Sequence, residues 1–288
     1  MDWIRIASDP YWFVLVVSFL GIAVWETCRA RRELAAPLGT RWGKHSLIWI
    51  SGGILTRGLY GVGPVLVAAS VEGSRLGLLN QPWMPFAARC ILALLLLDLT
   101  KYAVHRAWHS FPILWRVHQV HHSDPEYDLS TTFRFHPIES LVTQGVYLSV
   151  VVVLAPPPVA VLAAELSRAF LGFFAHANAS LPKWVEKIAR VVFITPDLHR
   201  IHHSVEEWEQ VKNLGENFSC WDRLFHTYVP EPAAGQAAMI TGLRGFQNPG
   251  SLGLTFMLTQ PFLPERPERR PERREEQPSP SVPLATAD

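Results

Sequence analysis

Charge is what this sequence has least of. Only 18% of its 288 residues are Asp, Glu, Lys or Arg, while 49% are hydrophobic. A soluble domain is nearer a quarter charged. Mean hydropathy is +0.12 although the last two dozen residues are strongly polar, so the apolar excess sits in the rest of the chain. That composition favours a membrane protein over a soluble globule. Neither sign of charge dominates, with 26 basic against 25 acidic residues, so nothing suggests nucleic acid as a partner. Cysteine is also scarce. Cys28, Cys90 and Cys220 show no CxxC spacing, which excludes a disulfide framework and leaves isolated packing thiols.

What is there, first, is a series of long apolar runs. Tyr11 to Thr27 is almost wholly apolar and is followed by charge, with no small-residue cleavage site, so a retained membrane helix is expected. A second run, from about Ser46 to Ser70, contains Arg57 and several glycines and reads as a broken or tilted helix. A third spans about Pro85 to Val104, a fourth Ile138 to Ala155 and a fifth Val159 to His176. Each approaches the roughly 20 residues that cross a bilayer. Pro156, Pro157 and Pro158 separate the last two, so these read as a helical hairpin with its tip at the prolines. The loop at 29–45 carries Arg29, Arg31, Arg32, Arg41 and Lys44, whereas the loop at 71–84 carries only Arg75. The positive-inside rule puts the first loop in the cytoplasm. Alternation then brings both His105 and His176 to the cytoplasmic face. From Pro264 onward, the sequence PERPERRPERREEQPSPSVPLATAD cannot bury a core and is expected to be a disordered tail.

Second, there is histidine. Of 12 in the chain, ten fall between His105 and His203. His105 and His109 are spaced i, i+4, which puts both rings on one helical face. His118, His121 and His122 form H-x-x-H-H, and His199, His202 and His203 repeat it, each copy followed by a serine. His176 closes the fifth apolar run, and His136 sits before Pro137 in FRFHPIE. Neutral imidazole is the commonest biological metal ligand. So many histidines exceed the capacity of one ion, and two metals are the economical reading. Carboxylates that could orient the rings are Asp98, Asp124, Asp128, Glu139, Asp197 and Glu206. Asp98 has a competing reading as a structural partner of Lys101 at i+3. His45 and His226 belong to no cluster and read as structural or surface residues.

The order HxxxH, HxxHH, a later His, then HxxHH resembles the fatty acid hydroxylase and sterol desaturase superfamily. The stretches that carry the resemblance are HRAWH at 105–109, WRVHQVHHSDPEYD at 115–128, RFHPIE at 134–139, FFAHANASLP at 173–182, TPDLHRIHHS at 195–204 and NFSCWDRLFHTY at 217–228. It implies an all-α, polytopic membrane bundle with a cytosolic helical cap holding a non-haem di-iron centre, which zinc could replace. It further implies lipid hydroxylation or desaturation with O2 and two external electrons. The implied ligands are His105, His109, His118, His121, His122, His176, His199, His202 and His203, with His136 as an additional candidate. Many members have a second histidine shortly before the one matching His176, and residues 171–175 contain none. There is no HPGG haem loop, so electrons are expected from a separate protein. A glycine usual after WDRLF is His226 here. The expected organisation is transmembrane helices at 1–84, a catalytic domain at 85–230, an extension at 231–263 and the tail at 264–288. Spacing alone leaves open a zinc-dependent membrane hydrolase or a non-catalytic metal-binding membrane protein.

Overall fold

The computed structural model describes residues 3–74 and 77–264. The expected disordered tail, beyond Pro264, lies outside the described residues, as does Arg75. Among the described residues the fold is all-helical, with only isolated β-bridges such as Ala30–Ala179. Nine helices carry the architecture: α1 Trp3–Arg29, α2 Leu38–Tyr60, α3 Pro64–Val71, α4 Phe86–Ser110, α5 Pro112–His122, α6 Pro137–Leu154, α7 Pro158–Ala175, α8 Lys183–Val192 and α9 Pro196–His202. Short helical turns follow as far as Phe262. Five of the nine, α3, α5, α6, α7 and α9, open on a proline at the start of the first turn. There the missing N–H has no intrahelical partner to lose.

Among the described residues, four segments are long and apolar enough to cross a membrane: 10–29, 38–71, 137–154 and 158–175. Their outward faces are apolar, with Phe13, Leu20, Ile54, Leu59, Val152 and Val153 exposed. The second segment is broken as its glycines predict. Gly61 ends α2 at φ 69°, a left-handed turn that glycine adopts without cost, and α3 begins three residues later. The third expected span, α4, is not among the four. It has 25 residues but carries Arg89, Asp98 and Lys101. Asp98 and Lys101 are buried with Ala93, Leu97 and Tyr102. These two charged groups point into the protein, as intramembrane charges do.

The bundle is built on α7. α1, α3 and α4 pack against it, while α2, α3 and α4 pack against α6. The α6–α7 hairpin turns at the three prolines, with Ala155 at φ 42°. The N–H groups of Leu78 and Leu79 donate to the carbonyls of Val153 and Leu154 at 3.1 and 2.9 Å, which satisfies the end of α6. Gly145 lets α2 approach α6. A Cβ there would stand 2.4 Å from the Tyr60 hydroxyl, which donates to the Leu141 carbonyl at 3.0 Å.

Over one end of the bundle lie α5, a 3-10 turn at Leu129–Phe133, α8, α9 and the C-terminal turns. This cap is fastened by a buried ion network. Arg41 of α2, fully buried, contacts Asp124 at 2.8 Å, Asp128 at 3.0 Å and Glu126 at 3.1 Å. Arg134, also fully buried, donates to the carbonyls of Val120 and Ser251 at 2.8 and 2.7 Å. The segment after residue 231 buttresses α5. Arg116 donates to the Pro261 and Leu263 carbonyls at 3.0 and 2.8 Å, and Ser123 to Gln260 at 2.8 Å. The basic α1–α2 loop meets the same cap through the Arg31–Asp197 ion pair and the Arg32 bond to the Gln236 carbonyl at 2.7 Å.

Candidate metal centre

Four helices end where the cap meets the bundle, and each delivers histidine there. The last two turns of α4 carry His105 and His109, and α5 carries His118, His121 and His122. His176 caps the C-terminus of α7. α9 carries His199 and His202, with His203 as its cap. Each helix C-terminus presents roughly half a negative charge, so four of them favour cations at this point.

The rings sort into two groups. His105, His109, His118, His122 and His202 form one, and His121, His176, His199 and His203 the other. Within each group one nitrogen per ring lies within 4.8 Å of all the others. Ligands about 2.1 Å from a common ion stand at most about 4.2 Å apart, so each group is about half an ångström from a coordination shell. The groups abut, with the His122 and His203 rings stacked at 4.5 Å. His176 Nε2 is 3.3 Å from His121 Nε2 and 3.1 Å from His199 Nε2.

The donor atoms themselves support metal binding. The Nε2 atoms of His105, His109, His118, His202 and His203, the Nδ1 atoms of His121 and His199, and both nitrogens of His122 are buried without a hydrogen-bond partner. Orphaned buried polar atoms at this density are costly, and a shared cation would satisfy them. Burial pushes His121, His122, His199, His202 and His203 well below the ordinary imidazole pKa, helped by their mutual repulsion. They are held neutral, which is the form that binds metal.

The opposite ring nitrogens are held by the protein. His118 Nδ1 meets Glu139 at 2.6 Å. His105 Nδ1 donates to the Leu214 carbonyl at 2.8 Å, His202 Nδ1 to that of Lys212 at 3.0 Å and His176 Nδ1 to that of Gly172 at 2.8 Å. These bonds fix the tautomer and leave Nε2 free as ligand. The 212–215 loop is in turn held by Asp222, which accepts from the Leu214 and Gly215 N–H groups at 2.7 and 2.9 Å and from Thr227 at 2.6 Å.

The remaining sequence candidates stand elsewhere. His136 joins neither group: it is the N-cap of α6, where Nδ1 accepts from the Ile138 N–H at 3.1 Å and Nε2 faces the Leu258 carbonyl at 3.2 Å. Among the carboxylates, Glu139 alone meets a ring of either group among the described residues. Asp124 and Asp128 are engaged by Arg41, and Asp197 by Arg31. The half-buried Glu206 pairs with Arg244. Asp98 accepts from the Trp221 indole at 2.8 Å and forms no ion pair with Lys101. His45 is a structural member of the cap network, 2.8 Å from Ser130 and 3.2 Å from Arg134, and His226 is exposed. Sequence reasoning missed the loop carbonyls and Asp222, although Asp222 lies in the NFSCWDRLFHTY stretch. It also missed Arg41, whose charge had been read only for topology.

A cavity of about 430 Å³ opens onto both groups, a size typical of small-molecule sites. His105, His118, His121, His176 and His199 form its metal-side wall. Leu15, Trp49, Val62, Phe133 and Phe173 give it apolar walls into the bundle, where Lys101, Glu165, Arg168 and Glu216 also line it.

Residues 90–227 match the family model described as fatty acid hydroxylase. Among curated proteins, an ornithine lipid hydroxylase of Rhizobium tropici is 29% identical over 221 residues, 76% of this chain and 64% of that protein. An alkylglycerol monooxygenase of Danio rerio is 32% identical over 184 residues, 62% of this chain and 40% of that protein. Methylsterol monooxygenase 1 of Rattus norvegicus is 24% identical over 148 residues, 51% of this chain and 48% of that protein. The chain thus spans less than two thirds of the length of these relatives. No solved structure matches it. The stretch that matches the fatty acid hydroxylase model, residues 90–227, contains every histidine of both groups.

Proposed function

We propose that this chain is an integral membrane di-iron oxygenase that inserts one oxygen atom from O2 into a C–H bond of a lipid. The observation that carries the reading is the coincidence of two all-imidazole groups with one largely apolar channel. The relatives named as lipid hydroxylases and monooxygenases support it. The ligands in this reading are the nine grouped histidines. Two irons there would supply the activation of O2. The balance is a lipid C–H bond, O2, two electrons and two protons giving an alcohol and water, and the electrons come from a separate donor protein.

The chain's own residues do the rest. Glu139 and the carbonyls of Gly172, Lys212 and Leu214 orient the rings. Phe135, stacked 4.3 Å from His121, and Trp115, 5.0 Å from His109, exclude water. The channel walls guide an acyl or alkyl chain to the metal side. All of residues 85–230 act as the catalytic unit, while α1 and α2 lend channel walls and the 231–263 segment braces α5. The cytoplasmic assignment is supported by the basic 29–45 loop, which packs on the cap that holds the histidines.

Metal analysis combined with O2 consumption in the presence of membrane lipid tests the reading. Two irons per chain and lipid-dependent O2 uptake with a one-oxygen mass gain are expected. Zinc with lipid cleavage, or metal without turnover, would replace it with a hydrolase or a metal-binding protein. His121→Ala and His202→Ala each disrupt one group, and full activity in either would sink the proposal.

A further inference from the structure

Two cations on the channel wall, Lys101 and Arg57, form no ion pair among the described residues; Arg57 is exposed, and Lys101 alone of the two is buried. Lys101 of α4 is 9% exposed, lines the channel and forms no ion pair among the described residues. Its ammonium rests 4.8 Å from the centre of the Tyr147 ring, a contact weaker than a carboxylate would give. Arg168, the neighbouring cation on the channel wall, is already paired with Glu165 at 2.9 Å. Glu139 is taken by His118. Glu216 also faces the channel and lies within electrostatic reach of Lys101 without an ion pair. An unpaired ammonium held away from water is costly, and within a membrane bundle such a group marks a functional position.

We infer that Lys101 binds the anionic end of the substrate lipid, a carboxylate or a phosphate ester, inside the channel. This deepens the oxygenase reading and rests on it only for the word substrate. The geometry also sets a ruler. Lys101 precedes His105 by one helical turn, and Arg168 precedes His176 by two. At 1.5 Å per residue, an anion held at this level sits roughly 6–12 Å along the helix axes from the metal-side wall. The oxidised carbon is therefore set by its distance from the charged group. The competing role for Lys101 is balance of the Glu165 and Glu216 charges, with no ligand involved. That role would make it matter equally for charged and neutral lipids.

Binding, measured without turnover, separates the two. The full chain in phosphatidylcholine nanodiscs is titrated calorimetrically with palmitate, hexadecyl phosphate and hexadecanol, against empty nanodiscs. At least one of the two anions is expected to bind about tenfold more tightly than the alcohol, the size of one charge-assisted hydrogen bond. The relative affinity of palmitate and hexadecyl phosphate identifies which anion the site takes. K101M should bring the anion-to-alcohol ratio to about one, while K101R should keep it well above one. If K101M does not assemble, K101Q carries the same comparison. Equal binding of all three probes to the native chain, or a preference that survives the loss of Lys101, overturns the inference. A Lys101-dependent preference in a chain that oxidises no lipid would instead sink the oxygenase reading and leave this one standing. Lipid oxidation with no charge preference would do the reverse.

Discussion

The ligand set depends on residues that touch no metal. Glu139 sits in the first turn of α6, where the helix dipole favours its charge, and among the described residues it alone supplies a carboxylate to a ring of either group. Loss of such a partner costs about 10–100-fold in metal affinity. Glu139→Ala should fall near the upper end. Glu139→Gln, which keeps a neutral acceptor, should fall near the lower end, and competition with a chelator reads both. Arg41 acts further out. It is fully buried between Asp124 and Asp128. Burial pushes the Asp124 pKa up, but the Arg41 guanidinium outweighs it and holds that pKa below the usual carboxylate range. Arg41→Met strands two buried carboxylates, so a loss of about 3–5 kcal/mol is expected, seen as a large fall in melting temperature with iron content intact at low temperature. His226 gives the opposite sign. It sits at φ 59° on the surface, where a side chain costs about 1–2 kcal/mol that glycine does not, partly offset by glycine's freedom when unfolded. His226→Gly should therefore stabilise by about 1 kcal/mol, and an unchanged or lower melting temperature would refute that.

At the scale of the element, α8 stands out because its apolar face is exposed among the described residues. Trp184, Ile188, Val191 and Val192 are exposed, beside Lys183 and Lys187. The helix begins eight residues after the last residue of α7, which is long and apolar enough to cross a membrane. A short amphipathic helix with tryptophan and lysine belongs in the plane of the headgroups. A nitroxide attached at Ile188→Cys should collide readily with O2 and poorly with a water-soluble nickel chelate. The reverse pattern would place α8 in water. This element was not legible in the sequence, since ten residues between polar loops leave no long apolar run. Elements with strong local signals were legible. The proline triplet marked the α6–α7 tip, and the glycines marked the break between α2 and α3. α4 reads as a span from its sequence, and the choice between the two roles of Asp98 is made only once the inward face is known. For the site, helical spacing explained why histidines from one segment share a face. It could not show that the two HxxHH copies each divide between the two groups, His118 and His122 to one and His121 to the other. That division depends on how α4, α7 and α9 cross, which is a property of tertiary packing.

For the whole molecule, nine imidazoles packed together make stability depend on pH. His121, His122, His199, His202 and His203 have folded-state pKa values pushed well below the ordinary value of about 6.5 by burial and by one another. Below about pH 6.5 the unfolded chain binds protons at these positions that the folded chain refuses. Their contribution is therefore fully present above that pH and is lost as pH falls. Each such group steepens the loss by up to about 1.4 kcal/mol per pH unit, and a typical protein has only about 5–15 kcal/mol to lose. The metal-free protein should thus keep a level melting temperature from pH 8 to about 7 and drop steeply below about 6.5. Bound metal occupies the same nitrogens, and a proton must displace it. Iron loading should shift the drop to lower pH rather than merely raise the whole curve. A double variant, His121→Phe with His202→Phe, removes one imidazole from each group and should make the metal-free drop shallower. Thermal unfolding in detergent at stepped pH, with and without chelator, decides it. A metal-free melting temperature that stays level from pH 8 down to 5 would mean that the rings are already charged or already open to water, and that the two groups are not the neutral cages described.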